Sequence, residues 1–304
     1  MKAVKVFVTG ATGFVGKAVI HALQTHNYLV RCLVRPGSEG RLKGFEAIER
    51  VPGDVRLPQG LATVMEGCHS VIHLVGIIRE NRLRGITYDR LHLQATRHVL
   101  AAATAAGISR YVQMSALGVR PNARSRYHQT KWRAEEEVGA SALQWTIFRP
   151  SIIYGLGDDF ISMLAKMVRR LPVVPVLGDG RYRLQPIAVE QVAEGFVRAL
   201  ETPESVHQTY EVGGPKAHSM NEILDLIGEC IGRSRVRKIH MPLGMIRPLV
   251  SLFGFLPFFP VTSDQLLMLE EENSCDPTAF YRDLDLKPLE FPEGLQRMFH
   301  LSGN

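Results

Sequence analysis

The sequence predicts an α/β fold: a doubly wound parallel sheet with a smaller C-terminal lobe. Three observations point there. The chain opens on an apolar run, Val4-Lys5-Val6-Phe7-Val8, which passes through Gly10, Gly13 and Gly16 into a helical pattern. Strand-like and helix-like segments then alternate up to about residue 150. Beyond it the texture changes, with Pro172, Pro175, Pro186, Pro203 and Pro215 breaking the rhythm. Regular alternation places helices on both faces of a parallel sheet.

Taken in order, the first strand covers 4–8, rich in β-branched residues. Gly10 turns the chain without a Cβ clash, Gly13 lets the backbone approach a ligand, and Gly16 lets the next helix lie near the sheet. That helix is expected over 14–25. Further strands fall near 29–34, 47–51, 70–75, 109–114 and 143–148, with helices near 57–66, 86–106 and 126–140. Right-handed crossovers favour the strand order 3-2-1-4-5-6. In the second half, helices are expected near 158–170, 188–201, 219–231 and 263–272, and short strands near 183–187 and 208–212. The expected division is a dinucleotide-binding domain over 1–157, helped by about 183–213, and a smaller substrate lobe over 158–304 that lends a strand or helix back to the sheet.

Composition bounds the function. With 304 residues, 45% hydrophobic and 22% charged, the chain can bury a large core. Lys2 and Lys5 interrupt the N-terminus, and no small-residue cleavage site follows, so no signal peptide is expected. No apolar run is long enough to span a bilayer. Cys32, Cys68, Cys230 and Cys275 are far apart and form no CxxC pair, and the eleven histidines show no HExxH pattern. They read as reduced packing residues in a cytoplasmic protein, with no metal site. The net charge of +6 is interspersed with acids, and no nucleic-acid motif is present.

A strand running through a glycine turn into a helix N-terminus grips a diphosphate, because free amides and the helix dipole face the anion. The spacing is GxxGxxG and not GxGxxG, so it matches the dinucleotide fingerprint in mechanism rather than letter by letter. Gly10, Thr12, Gly13, Phe14, Val15 and Gly16 are the candidate diphosphate-binding residues. The second strand ends in Arg35, with no acid before Glu39. An acid there holds the ribose of NAD, whereas arginine pairs with a 2′-phosphate, so NADP(H) is expected over NAD(H). Ser38 adds a possible hydrogen bond. Asp54, beside Val55, either accepts from the adenine amino group or caps the helix after it. Val75, Gly76 and Pro150 fall at the carboxyl ends of strands, where such sheets bind ligand. The segment Arg149 to Gly155 is expected to pass the nicotinamide end.

Tyr127 and Lys131 are four apart, which sets both on one helical face. A free phenol titrates near pH 10, and a neighbouring ammonium favours the phenolate. The expected roles are proton exchange at a carbonyl or alcohol oxygen for Tyr127, and for Lys131 a hold on the nicotinamide ribose as well.

These motifs together resemble the short-chain dehydrogenase/reductase superfamily, of the extended or atypical kind. TGATGFVG at 9–16, GDV at 53–55, HLVG at 73–76, SALG at 115–118, YHQTK at 127–131 and RPSIIYGLGD at 149–158 occur in order. The runs 176–180, 184–187 and 210–215 resemble the branch that includes the NADPH-binding accessory subunit of respiratory complex I and its bacterial relatives. The resemblance covers nearly the whole chain. It implies a Rossmann fold, NADP(H) binding, and Tyr127 and Lys131 in active-site positions. It carries over incompletely. His92 stands where many members have a structural asparagine. The carbonyl-polarising serine corresponds either to Ser115 or to a slightly later position, held here by Leu117 and Gly118. Ser115 is therefore catalytic or merely lines the cofactor. Arg124 and Arg126 either meet an acidic substrate or belong to a solvated loop.

One further stretch stands out. Leu249 to Leu256, then Phe258 and Phe259, follow the basic run Arg233-Ser234-Arg235-Val236-Arg237-Lys238. It reads as a substrate-lobe helix packed on the core or lining an apolar pocket for a lipophilic substrate. The alternative is a seat on an anionic membrane surface. Three functions compete: an NADP(H)-dependent oxidoreductase on a small carbonyl or alcohol, a non-catalytic cofactor-binding subunit in a respiratory assembly, and a sugar-nucleotide epimerase or dehydratase.

Overall fold

A computed structural model describes residues 4–253, 262–271 and 273–302. Most of the aromatic part of the apolar stretch, 254–261, and the expected helix end at 272 lie outside the described residues. The chain divides into two units. The first comprises Met1–Pro150, Glu190–Glu211 and Thr278–Leu286, and the second Ser151–Val189, Val212–Pro277 and Lys287–Asn304.

The sheet of the first unit is built from β1 (Lys5–Thr9), β2 (Leu29–Val34), β3 (Ile48–Pro52), β4 (Ser70–His73), β5 (Arg110–Met114) and β6 (Gln144–Pro150). These pair in parallel in the expected order 3-2-1-4-5-6. A seventh strand, β7 (Gln208–Val212), joins beyond β6. The other short expected strand, 183–187, splits into Arg183–Leu184 and Ile187–Ala188, neither in this sheet. Pro186 has no N–H to donate to a ladder.

Every residue of β4 is buried, as suits a central strand covered on both faces. Helix α1 (Phe14–Thr25) buries Val15, Gly16, Val19, Ile20 and Leu23, a three-to-four spacing that makes one apolar stripe. It ends where Asn27 takes a left-handed φ of 61°. Helix α2 is shorter than expected, Leu61–Met65, because Gly60 enters it with φ +77° and Pro58 precedes it. The expected helix 86–106 begins as a wide π-helical turn over Asp89–Gln94 and becomes regular in α3 (Ala95–Ala105).

Helix α4 (Arg126–Gly139) starts at Ser125, whose hydroxyl accepts the His128 amide at 3.2 Å. Its buried face is polar for much of its length: Tyr127, His128, Thr130, Lys131 and Glu135 precede Val138. Burying such groups is costly unless they are paired or functional, so this face marks the site. Arg110 ties β5 to its surroundings. Its guanidinium donates to Gln144 O (2.6 Å), Thr146 Oγ1 (2.6 Å), Ala199 O (2.7 Å) and Ser205 Oγ (2.9 Å). Burial pulls its pKa down to about 10.

In the second unit, α5 (Phe160–Arg170) and α7 (Met220–Cys230) bring Ile161, Leu164 and Val168 against Ile223, Leu224 and Ile227 in one core with Phe291 and Leu295. Between them in the chain runs α6 (Val189–Glu201), most of which belongs to the first unit. Ser219 and Glu222 close a reciprocal capping box at the start of α7. A two-stranded parallel pair, Val174–Leu177 with Lys238–Met241, completes the elements used below.

Candidate functional site

The candidate cofactor and catalytic residues from Gly10 to Pro150 lie in the first unit, whereas Ser151 to Gly155 of the segment expected to pass the nicotinamide end belong to the second. At the end of β1, Gly10 adopts φ +76°, and a Cβ there would sit 3.0 Å from the Leu74 backbone. Gly13 donates to Gly10 O at 3.0 Å. A Cβ on Gly16 would lie 2.3 Å from Gly10 O, so only glycine lets α1 begin against the loop. The first helical bond of α1 is Lys17 N–H to Gly13 O (3.1 Å), which leaves the amides of Phe14, Val15 and Gly16 ahead of it. No side chain caps this end and no acid stands in its first turn. An uncapped, acid-free helix start behind a glycine loop fits a diphosphate. Thr12 is half-buried beside it, and Val75 and Gly76 follow β4.

Arg35 directly follows β2, with its side chain exposed and no ion pair among the described residues. Asp54 is committed elsewhere. Its carboxylate accepts the Arg56 amide (2.9 Å) and forks onto the Arg56 guanidinium (2.6–3.0 Å). Burial pushes this carboxyl up, but the Arg56 bonds and charge outweigh it and hold it below the usual range. Asp54 does not cap α2, which begins at Leu61, so that alternative falls. Val55 is buried, and its carbonyl lies 2.8 Å from His98 Nδ1.

Tyr127 and Lys131 share the buried face of α4. The Lys131 ammonium donates to Met114 O at 3.1 Å and lies 5.7 Å from the Tyr127 ring centroid. A Cβ on Gly76 would come 3.5 Å from Lys131 Nζ, which places this glycine beside the ammonium. Burial pulls Lys131 down to about 8, opposed by the Glu135 charge. The Tyr127 hydroxyl has no hydrogen-bond partner among the described residues. The expected depression of its pKa is not found. Burial pushes the phenol well up, because the ring is enclosed by Tyr88, His92 and His128 at 5.2–5.8 Å and the ammonium is turned to Met114 O.

His92 sits in the π-helical turn, stacked on Tyr88 and edge-on to Tyr127. Its Nδ1 lies 2.9 Å from Thr130 Oγ1, and its Nε2 lies 3.1 Å from Ile77 O and 3.2 Å from the Ile77 amide. Burial, then the Lys131 charge, hold it well below the usual histidine range, so the ring is neutral. His73, at the end of β4, meets Thr9 Oγ1 through Nδ1 (2.5 Å), while its buried Nε2 has no partner among the described residues. Burial pulls His73 down to about 3.

Ser115 follows β5 and donates its hydroxyl to Glu135 Oε1. The same carboxylate accepts Arg149 Nε (3.0 Å) and Nη2 (2.5 Å). Leu117 is buried and donates its amide to Pro150 O (2.9 Å), and Gly118 packs under the His128 ring. Arg126 pairs with Glu80 at 3.2 Å, and Arg124 is exposed. The sequence reading missed Glu135, Arg149 and Thr130 as members of this cluster. Glu135 was within reach of it, because it continues the four-residue spacing of Tyr127 and Lys131.

Residues 6–213 match the model of the NAD dependent epimerase/dehydratase family. The chain belongs to this family. It is an extended short-chain dehydrogenase/reductase, and its nucleotide-binding fold is that of the family's nicotinamide enzymes. It is 29% identical over 309 aligned residues to the NADH dehydrogenase (ubiquinone) 1 alpha subcomplex subunit 9, mitochondrial, of Arabidopsis thaliana, covering 92% of this chain and 73% of that protein. It is 34% identical over 198 residues to the ceramide reductase of Caulobacter vibrioides, covering 65% of this chain and 61% of the relative. The UDP-glucose 4-epimerase of Thermotoga maritima superposes with a TM-score of 0.76 at 17% identity, over 99% of this chain and 100% of that one. That last likeness bears on the fold alone.

Proposed function

We propose that this chain binds NADP(H) and reduces or oxidises a small, lipophilic carbonyl or alcohol, with Tyr127 as the proton-exchanging group. The observation that carries the reading is the Tyr127 hydroxyl, left without a partner one helical turn from the buried Lys131. A phenol held above its ordinary range stays protonated at neutral pH. That state suits the gift of a proton to a carbonyl oxygen in the reductive direction. Lys131 stays largely charged at neutral pH and favours the phenolate that remains. The nicotinamide, when bound, supplies or takes up hydride. The amides of Phe14, Val15 and Gly16 would hold its diphosphate, and Arg35 the 2′-phosphate. Val75, Gly76 and Pro150 would line it. Ser115, tied to Glu135, positions the carboxylate and does not polarise substrate. A ceramide reductase among the relatives favours a lipophilic substrate.

A second reading is a non-catalytic NADPH-binding subunit of a respiratory assembly. The Ser115–Glu135 bond favours it, because it takes up the hydroxyl that a carbonyl-polarising serine would need free. Relatives named as mitochondrial subunits of NADH dehydrogenase (ubiquinone) and of NADH-ubiquinone oxidoreductase favour it too.

Fluorescence titration with NADPH and NADH, followed by turnover of the wild type and Tyr127→Phe on a panel of carbonyl compounds, tests both readings. Turnover lost in Tyr127→Phe with binding intact supports the enzyme. Tight NADPH binding without turnover on any compound, together with recovery of the chain in a respiratory complex, supports the subunit. Equal affinity for the two nucleotides overturns the role of Arg35.

A further inference from the structure

The second unit carries a surface that cofactor binding leaves unused. In the parallel pair, Val174 lies opposite Lys238 and Pro175 opposite Ile239. Strand alternation turns Val174 and Val176 into the core, and Val236 just ahead of the second strand is buried with them. Val173, Arg237 and Ile239 are left exposed. Ile239 is 56% exposed. After Pro242 the chain enters the helix Leu243–Phe253, where Met245 is 72% and Leu252 63% exposed.

Basic groups of one sign surround these side chains. Arg169 and Arg170 end α5, and Arg235 and Arg237 precede the second strand of the pair. All four are exposed, with no ion pair among the described residues. Between 231 and 253 the sequence has no acid at all. Arg233 makes the patch continuous, because its guanidinium donates to Val168 O, Leu171 O and Pro172 O and so ties the end of α5 to this segment. Lys238 is the exception, neutralised by Asp225.

We propose that this face seats the protein on an anionic lipid surface. Aliphatic side chains would enter the headgroup boundary while the arginines reach lipid phosphates. The mixing of the two kinds of group selects the partner. Exposed arginines with no ion pair among the described residues, beside a segment without acids, complement a surface dense in lipid phosphates. Here Arg237 stands between Val173 and Ile239, an arrangement in which an arginine stem lies along apolar surface and its head reaches outward.

Flotation of the full chain with vesicles tests this, using phosphatidylcholine alone and phosphatidylcholine mixed with phosphatidylglycerol. The chain is expected to float with the mixed vesicles only, and to be released as salt is raised. Each arginine near an anionic surface is worth about fivefold in partition, so the Arg235→Glu, Arg237→Glu double variant should lose more than tenfold. Ile239→Ser with Met245→Ser should weaken the attachment that survives in salt. Unchanged melting curves keep these comparisons on folded protein. Equal partition into neutral and mixed vesicles, no partition into either, or full partition of the double arginine variant would each overturn the proposal. So would loss of vesicle binding in favour of an acidic protein.

Discussion

Ser115 gives its hydroxyl to Glu135, which lies one helical turn beyond Lys131 and forks at the same time onto Arg149. A residue expected either to act on substrate or to line the cofactor is thereby bound to a buried ion pair. Ser115→Ala should therefore leave turnover within about threefold and cost about 1 kcal/mol of stability, the worth of one hydrogen bond. Steady-state kinetics and urea unfolding check both. Glu135→Gln should cost more, about 3 kcal/mol, because it leaves the Arg149 charge without its carboxylate.

Burying the Lys131 ammonium costs stability. Its value falls from 10.5 in the unfolded chain to about 8 when folded. The folded state therefore binds fewer protons between these values. The burial cost is fully present below about pH 8 and is relieved as pH rises towards 10.5. Lys131→Met should raise stability of the cofactor-free protein at neutral pH by about 2 kcal/mol while abolishing turnover. Melting curves of both proteins across that window should converge at the alkaline end.

His73 works in the opposite pH range. Its folded value, about 3, lies below the ordinary 6.5, so the unfolded chain takes up the proton first. Stability should fall as pH drops from 6.5 towards 3, by up to about 1.4 kcal/mol per unit for this group. His73→Gln should flatten the acid limb of a stability profile measured by urea unfolding. An unchanged slope would sink the assignment.

The proposed preference for NADP(H) rests on Arg35, which follows β2 with its side chain exposed. Arg35→Glu should weaken NADPH binding by more than about tenfold, the scale of one lost charge-assisted pair, and leave NADH binding equal or better. Calorimetry with each nucleotide reads the ratio.

Gly16→Ala should lose nucleotide binding and much of the fold's stability. The added carbon would stand 2.3 Å from a backbone oxygen, which cannot swing aside as a side chain can. The backbone strain should exceed about 3 kcal/mol, beyond an ordinary overpacked site.

The sheet was legible because its signals are local. β1 is apolar and β-branched, Gly10 needs a left-handed turn, and α1 repeats its apolar residues at helical spacing. The pairing of Tyr127 with Lys131 on one face followed from spacing alone. What escaped depends on how side chains fold back and pack, which spacing and polarity alone do not carry. Nothing near Asp54 in an extended chain announces that Arg56 curls back to occupy it. The rise of the Tyr127 phenol depends on burial among Tyr88, His92 and His128, which only the folded packing supplies. The parallel pair of Val174–Leu177 with Lys238–Met241 joins segments more than sixty residues apart, and each is too short to signal a strand by itself.

The π-helical turn at Asp89–Gln94 has an outcome for length as well as for chemistry. Such a turn accommodates one residue more than ordinary winding. Deleting the exposed Gln94 would let the helix close normally and keep the winding upstream in phase, but it would shift His92 off its place in the turn. His92 would leave both Thr130 and Ile77, although no core side chain had been altered. In this segment the count of residues matters more than their identity, and a family member one residue shorter here must hold Tyr127 by other means.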